Sequence, residues 1–250
     1  MTESVTFDKM AANYDAARGG EGRGHMTAET ISPHLAAGAV LEVGVGTGVV
    51  AAGLARLGHT VTGVDVSQPM LDVAARRFDG ELLVGDGMAL AFPDGSVDNV
   101  VYVHALHLMP DMTAALREAF RVLRPGGRVV VRHGDPVAEA DDLVLILRQV
   151  QAMQPGRPDE PEQVRAAAEA AGLRVLEQEL AAEYESGMNP STFINLIVNR
   201  QVPFLQRLEP ERATELMAPI LAQLRALPEP DRVRRQAWSC WLTVAEKPAG

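Results

Sequence analysis

Five short valine-rich runs, separated by longer segments rich in alanine, leucine and arginine, occupy residues 39–133. The runs are AVLEV (39–43), TVTGV (60–64), ELLV (81–84), VDNVVYV (97–103) and RVVVRH (128–133). Valine-rich runs without strict polar alternation are typical of strands buried on both faces, and helical segments between them indicate a parallel sheet that is covered on both sides. The pattern therefore predicts a doubly wound α/β core.

Capping and breaking residues predict the helices of this core and the elements that follow it. One helix runs from Thr47 to Leu57, and Ser67 can cap another through Arg77. Residues 162–171 are predicted as a helix. Residues 173–184, for which a helix is the alternative, and residues 235–247 are predicted as two further strands of a mostly parallel, seven-stranded sheet. Residues 190–227 are predicted to be helical in short pieces. The prolines that restrict these pieces to a few turns are Pro203, Pro210 and Pro219.

The motif VLEVGVGTG (40–48) places three glycines directly behind the first run, and Asp65 ends the second run. Doubly wound sheets bind ligands at the carboxyl ends of their strands, where glycines let the backbone approach the ligand. The two carboxylate oxygens of Asp65 suit the two hydroxyls of a ribose. The segment 46–51 also fits GxGxxA, so the loop alone leaves open an NAD(P)-dependent oxidoreductase and an enzyme that uses S-adenosylmethionine.

Four segments in order carry a resemblance to a known family. They are VLEVGVGTG (40–48), GVDVSQPMLDVAARR (63–77), GDGMALAFPDGSVDNVVYVHALH (85–107) and REAFRVLRPGGRVVV (117–131). Together they resemble the class I S-adenosylmethionine-dependent methyltransferases, and most of all the small-molecule subgroup of the ubiquinone/menaquinone type. The resemblance implies a Rossmann-like domain with helical lid insertions that transfers a methyl group to a small organic acceptor and releases S-adenosylhomocysteine. A protein that binds the donor without turnover is an alternative.

The resemblance also implies roles for matching positions. The implied donor-binding residues are Glu42, Gly44, Gly46, Gly48, Asp65, Val66, Met70, Asp86, Gly87, Met88 and His104. Glu42 would lie near the amino group of the methionine part, Asp65 on the ribose hydroxyls and Asp86 on the adenine amino group. Each has a plain structural alternative: Glu42 as a strand-end acid, Met70 as core, and Asp86 as part of a turn.

Methyl transfer from a sulfonium needs an aligned acceptor more than a catalytic side chain, because positioning alone removes much of the barrier. His104, after the fourth run, is the candidate general base for a hydroxyl acceptor. His107 is a weaker candidate, because the family often has a histidine there as part of the fold. His107 and His133, which ends the fifth run, are also candidates for the substrate region, and no metal-ligand set is recognisable.

Three further residues are candidates for the substrate or lid region. Tyr14 lies in the segment 7–25, which resembles the cover that closes over the donor in this family. Phe193 and Arg200 recur at helical spacing and could line a pocket, although such a stripe is more often core. The predicted organisation is one domain with a cover (1–35), a donor-binding core (36–134) and a carboxyl-terminal half with the substrate lid (135–250).

The formal net charge of −10 disfavours nucleic acid as a partner, because phosphate backbones are held by clusters of lysine and arginine. Cys240 is the sole cysteine, which fits a reducing compartment, and no apolar run reaches the length of a membrane span. The sequence therefore predicts a cytoplasmic monomer or homodimer that acts on a small molecule.

Overall fold

A computed structural model describes residues 20–138, 141–153, 159–202, 205 and 208–249. Its seven-stranded sheet has the order β3-β2-β1-β4-β5-β7-β6. The strands are β1 Val40–Val43, β2 Val61–Asp65, β3 Glu81–Val84, β4 Val97–Val103, β5 Leu123–Ala138, β6 Arg174–Met188 and β7 Arg234–Glu246. The five predicted runs and the two later strands are all present, so the predicted seven-stranded α/β sheet is confirmed.

The register of the first five strands places their carboxyl ends at one edge of the sheet. β1 pairs in parallel with both β2 and β4, β2 pairs in parallel with β3, and β4 pairs in parallel with β5. The chain therefore proceeds outward from β1 in one direction and from β4 in the other. The point where the strand order reverses lies between β1 and β4, and doubly wound sheets bind ligands beside such a point.

Eight α-helices lie in the described ranges. They are α1 Gly20–Ile31, α2 Val49–Arg56, α3 Gln68–Ala74, α4 Met112–Val122, α5 Asp142–Ala152, α6 Pro161–Ala170, α7 Pro190–Val198 and α8 Pro210–Ala226. Ser67 caps α3 as predicted, because its hydroxyl accepts a hydrogen bond from the backbone N–H of Met70. The helix ends at Ala74, three residues before the predicted end at Arg77.

Helix α1 was not predicted, because glycines at positions 20, 22 and 24 give its sequence poor helix propensity. The same lack of side chains lets α1 pack closely on α2. A Cβ atom on Gly24 would lie 2.5 Å from the carbonyl oxygen of Val49, and one on Gly53 would lie 2.7 Å from the Cβ of Ala28. Close tertiary packing thus outweighs the local preference of the sequence.

The prediction that Pro219 interrupts the helical region was wrong. Pro219 lies inside α8, which continues from Pro210 to Ala226. A proline removes one backbone hydrogen bond from a helix, and here the buried side chains of Met217 and Ile220 lie on both sides of it. Their packing compensates for that loss and maintains the helix.

The chain divides into two compact units. The first comprises residues 1–136, 157–184 and 239–250, and it contains the carboxyl ends of β1 to β4. The second comprises residues 137–156 and 185–238. In the second unit α5, α7 and α8 pack around a core that includes Phe193, Ile197 and Met217. The predicted division into cover, donor-binding core and lid half is a functional one and stays a prediction.

Candidate active site

The loop after β1 is built on three glycines in the left-handed backbone region. Gly44, Gly46 and Gly48 have φ angles of 76°, 54° and 75°. A Cβ atom on Gly44 would lie 2.6 Å from the Cβ of Ala105, and one on Gly48 would lie 2.8 Å from the Cβ of Ala74. A Cβ atom on Gly46 would meet nothing within 4 Å. The outer glycines therefore allow close packing, and the middle one faces open space.

Replacing Gly44 or Gly46 by alanine is expected to lower the free energy of unfolding by different amounts. Either alanine is strained by positive φ, by about 1–2 kcal/mol. Gly44→Ala adds a steric clash with Ala105, so it should lower the free energy of unfolding more than Gly46→Ala does. Urea unfolding measures both. Gly58→Ala is the matched control, because Gly58 has φ 92° and a Cβ there would meet nothing within 4 Å. Equal losses at positions 44 and 46 would contradict the clash.

Glu42 lies in β1, immediately before this loop, and its side chain is 2% exposed. The pKa of Glu42 is raised from 4.5 to about 8: burial is the largest cause, the negative charge of Asp65 also raises the pKa, and a hydrogen bond from the backbone of Ala51 lowers it. Its Oε2 atom has no hydrogen-bond partner among the described residues. A buried acceptor without a partner costs free energy, so Glu42 is suited to receive a donor group from a ligand.

Asp65 ends β2 and joins that strand end to the glycine loop. Its Oδ2 accepts a hydrogen bond from the backbone N–H of Gly46 at 2.8 Å, and its Oδ1 accepts one from the backbone N–H of Ser67 at 2.9 Å. Each carboxylate oxygen can accept a second hydrogen bond, so these contacts are compatible with two ribose hydroxyls. The ribose contact itself stays a prediction.

The two apolar residues that were assigned to the donor site after β2 differ in exposure. The side chain of Val66 is 57% exposed, whereas that of Met70 is 2% exposed. Val66 therefore offers apolar surface next to Asp65. The burial of Met70 agrees with the alternative that it is a core residue, and its predicted place near the adenine stays a prediction.

The loop after β3 contains the residues that were assigned to the adenine. The Oδ1 of Asp86 accepts a hydrogen bond from the backbone N–H of Met88 at 2.8 Å. Gly87 is buried, and a Cβ atom on it would lie 2.6 Å from the Cε of Met109. The backbone N–H of Gly85 donates to the carbonyl of Asp65 at 3.0 Å, so the loops after β2 and β3 are hydrogen-bonded neighbours.

The loop after β4 begins at His104, a non-glycine residue with φ 49°. Its backbone N–H donates to the carbonyl of Arg132 in β5 at 2.8 Å, and its side chain is partly exposed. Such a conformation costs free energy and often occurs at functional sites. Because Ala105 packs on Gly44 and Met109 on Gly87, this loop adjoins the loops after β1 and β3.

His107 pairs with an acid that the sequence analysis did not identify. His107 lies on a short 3-10 helix, Leu106–Leu108, and its Nδ1 is 3.4 Å from Oδ2 of Asp159. Asp159 is completely buried, and the backbone N–H of Gly134 donates to the same oxygen at 3.3 Å. Asp159 belongs to QPGRPDEP (154–161), which reads only as a loop, so no sequence pattern connects it with His107.

His133 is buried, and both of its ring nitrogens have partners in the protein. Nδ1 lies 2.8 Å from the carbonyl oxygen of Asp159, and Nε2 lies 2.8 Å from the hydroxyl of Thr243. The carbonyl can only accept, so Nδ1 carries a proton. The Thr243 oxygen accepts from the side-chain amide of Gln178, so its own O–H can donate to Nε2. These contacts hold β5 to its neighbours, and a substrate contact of His133 stays a prediction.

The remaining candidates belong to the second unit or lie outside the described residues. Tyr14 is outside the described ranges. Phe193 is buried in the core of the second unit, which agrees with the alternative that it is a core residue. Arg200 follows α7 and donates hydrogen bonds to the backbone carbonyls of Leu205 and Leu208. A substrate contact of Phe193 or Arg200 stays a prediction.

The sheet order and the loops at its carboxyl edge define a Rossmann-like, doubly wound α/β fold. Residues 41–131 match a family model described as a methyltransferase domain. This segment, which contains the loops after β1 to β4, is therefore identified as a methyltransferase domain. The resemblance of the four sequence segments is confirmed over this range.

Curated relatives match part of the chain. A demethylmenaquinone methyltransferase of Tropheryma whipplei is 43% identical over 98 residues, which cover 37% of this chain and 40% of the relative. A demethylmenaquinone methyltransferase of Thermus thermophilus is 33% identical over 142 residues, which cover 52% of this chain and 64% of the relative. The chain thus spans less than two thirds of the length of either relative.

A solved structure extends the likeness of fold to nearly the whole chain. The crystal structure of the cyclase SpnF has a TM-score of 0.61 and 20% sequence identity, and it covers 99% of this chain and 96% of its own. At this identity the comparison shows the fold alone.

Two other features are absent from the described ranges. No group of three or more histidine, cysteine, aspartate or glutamate side chains there could hold a metal ion. None of the helices described above is both long enough and apolar enough to cross a bilayer.

Proposed function

We propose that this protein binds S-adenosylmethionine at the loops after β1 to β4 and transfers its methyl group to a small organic acceptor. The observation that carries the proposal is the buried Oε2 of Glu42, an acceptor without a partner at the start of the glycine loop. Gly46, which faces open space, follows Glu42 closely in the chain. The carboxylate of Asp65 is near enough for its charge to raise the pKa of Glu42. A ligand with a cationic donor group fits this environment.

Charge favours this donor over a nicotinamide dinucleotide. The ammonium group of a methionine moiety has N–H donors and no acceptor, so it can satisfy Glu42 and stabilise its ionised form. A diphosphate brings negative charge close to Asp65, whose own charge already raises the pKa of Glu42, so it would be repelled there. Asp65 would hold the ribose, and Asp86, Gly87 and Met88 would bind the adenine edge. Of the loops described here, the one after β1 thus supports the methyltransferase proposal most directly.

The reaction needs little from the protein beyond orientation. The donor supplies a methyl group on a positively charged sulfur, and the acceptor displaces it in line. The chain would hold both reactants in that geometry and exclude water. Together these effects can lower the activation barrier by several kcal/mol. The sequence made His104 the candidate base. Its strained backbone beside the glycine loop supports the proposal that it belongs to the donor site.

S-adenosylhomocysteine is expected to raise the melting temperature of the protein, and NAD and NADP are not. A ligand that binds only the folded state stabilises it by an amount that grows with its concentration relative to Kd. Differential scanning fluorimetry over a concentration series of each ligand measures the effect. Stabilisation by a nicotinamide dinucleotide alone would refute the proposed donor and favour an oxidoreductase.

A second candidate is binding of the donor without methyl transfer. It is favoured by the structural likeness to SpnF, which is described as a cyclase, because one fold supports several activities. Incubation with the donor and a panel of small acceptors, followed by mass spectrometry, separates the two candidates. A mass increase of one methyl group on an acceptor supports transfer.

The proposal also covers the cellular location, the kind of substrate and the oligomeric state. The net charge of −10 and the single, buried Cys240 are consistent with a cytoplasmic protein that acts on small molecules and not on nucleic acid. We propose a monomer or homodimer, which sedimentation velocity would distinguish.

A further inference from the structure

One arginine of α4 holds the loop after β3 at three positions. Arg121 donates hydrogen bonds to the backbone carbonyls of Leu90 and Phe92, each at 2.8 Å. It also donates one to a carboxylate oxygen of Asp94 at 2.7 Å. A guanidinium carries five N–H donors in a fixed fork, so one side chain can bind several acceptors at once. Arg121 therefore fixes every second residue along this part of the loop.

Glu118, one turn before Arg121 in α4, binds the same loop from its other side. Its Oε2 accepts a hydrogen bond from the backbone N–H of Leu90 at 2.9 Å, and its two oxygens accept hydrogen bonds from Arg121 at 2.9 and 2.8 Å. The hydrogen bonding to Arg121 is the largest cause that lowers the pKa of Glu118, so the carboxylate is ionised at neutral pH. Glu118 and Arg121, called here the α4 pair, thus bind both backbone polar groups of Leu90.

Leu90 directly follows the turn that carries the proposed adenine-binding residues. Asp86 begins this turn, and its carbonyl accepts a hydrogen bond from the backbone N–H of Ala89 at 3.0 Å. The Oδ1 of Asp86 accepts a second one from the backbone N–H of Met88 at 2.8 Å. These hydrogen bonds give the turn its shape, and the α4 pair fixes its carboxyl end in space.

Helix α4 is a firm base for these contacts. Four of its side chains have no exposed area and pack in the core of the first unit: Ala115, Leu116, Ala119 and Val122. A close-packed core moves little, so a group that α4 holds keeps its place relative to the strands. A binding group that is already in place loses less freedom when a ligand binds, and the ligand therefore binds more tightly.

We infer that Glu118 and Arg121 are positioning residues for the adenine end of the donor, because they hold the turn 86–89 in the place where it receives the adenine. The inference rests on the proposed function and deepens it, since it assigns the recognition of the adenine to two residues that act through Leu90. Loss of the α4 pair should free the turn and leave the glycine loop, which would bind the methionine part, as it is.

Two ligands separate this role from a general effect on folding. S-adenosylhomocysteine contains the adenine, and S-ribosylhomocysteine has a hydroxyl group in its place. Arg121→Gln should weaken binding of S-adenosylhomocysteine by about tenfold or more, because two backbone carbonyls of the loop lose hydrogen bonds from a charged group. Binding of S-ribosylhomocysteine should be nearly unchanged. Isothermal titration calorimetry of the full chain, by competition for the weaker ligand, measures both affinities.

Further variants test the chemistry of the pair and control for stability. Arg121→Lys keeps the charge but loses the fork, so it should show a smaller loss of the same kind, and it replaces Arg121→Gln if that variant does not fold. Glu118→Ala should act in the same direction as Arg121→Gln. The controls are Arg117→Gln, at an exposed arginine of α4, and Arg234→Gln, which breaks a two-point ion pair with Asp142 in the second unit. Both controls should keep the wild-type affinities.

Amide hydrogen exchange gives a readout that needs no ligand. Arg121→Gln should speed exchange at residues 86–92 and leave it unchanged at residues 44–50. Unchanged exchange at 86–92, equal losses of affinity for the two ligands, or a wild type that binds both ligands equally well would each overturn the inference. Failure of the wild type to bind S-adenosylhomocysteine would instead refute the proposed function.

Discussion

Glu42→Gln is expected to remove a pH dependence of stability that the wild-type protein shows between about pH 4.5 and 8. Burial, and next the charge of Asp65, raises the pKa of Glu42 from 4.5 to about 8. In this interval the folded chain keeps a proton that the unfolded chain has lost. The contribution of this group to stability is therefore full below pH 4.5 and lost as the pH rises to about 8, by at most about 1.4 kcal/mol per pH unit.

Urea unfolding of the wild type and the variant at pH 5, 6, 7 and 8 measures this effect. The wild type should lose stability across the series, and Glu42→Gln should lose less because its amide does not titrate. Glu81→Gln is the matched control, because Glu81 is an exposed acid in β3. Parallel curves for wild type and Glu42→Gln would show that Glu42 does not hold a proton in the folded state at neutral pH.

The same residue should link donor binding to proton release. If an ammonium group of the ligand contacts Glu42, it favours the ionised carboxylate, so binding at pH 7 should release up to about one proton. Calorimetry of S-adenosylhomocysteine binding in two buffers with different ionisation enthalpies gives this number. Glu42→Gln should bind more weakly and release none.

Asp65→Ala is expected to weaken binding of S-adenosylhomocysteine by about 1–3 kcal/mol, because two ribose hydroxyls would lose their acceptor. The variant also removes the hydrogen bonds that Asp65 accepts from the backbone of Gly46 and Ser67, so part of the loss would come from a less ordered loop. Isothermal titration calorimetry measures the affinity, and Asp79→Ala, at an exposed acid in the turn before β3, is the control.

Asp65→Asn separates the two contributions, because it retains one acceptor oxygen and loses the charge. It should also lower the pKa of Glu42, since the charge of Asp65 is the second cause of its elevation. The stability of Asp65→Asn should therefore fall less steeply with pH than that of the wild type. Unchanged affinity in Asp65→Ala would reject the ribose contact.

The strands and the glycine loop were predictable because their causes are local. β-branched runs, a glycine motif and the capping hydroxyl of Ser67 each occupy a few consecutive residues, and all appear in the structure. Helix α1 and the continuation of α8 through Pro219 were not predicted, because they depend on packing between distant residues. Local propensity disfavours both elements.

The residues of the candidate site also divide into those that the sequence alone could identify and those that depend on the fold. Glu42, Asp65 and Asp86 could be selected as candidates because Glu42 lies in a recognisable strand, Asp65 ends one and Asp86 follows one. Asp159 was missed because it lies in a proline-rich loop, and only the fold brings it to His107. The burial of Met70 could not be derived either, since a methionine at that spacing suits both a core and a ligand contact.

The packing of α1 on α2 has a consequence for how related sequences can differ. A side chain at position 24 would meet the main-chain carbonyl of Val49, which no substitution can remove, so glycine should be invariant there. A Cβ atom at position 53 would lie 2.7 Å from the Cβ of Ala28, which is replaceable, and 3.0 Å from the backbone oxygen of Gly24, which is not. Relatives that keep this helix crossing should therefore retain glycine at position 24, and they should carry an alanine at position 53 only when position 28 is glycine and the backbone of residue 24 lies slightly farther away.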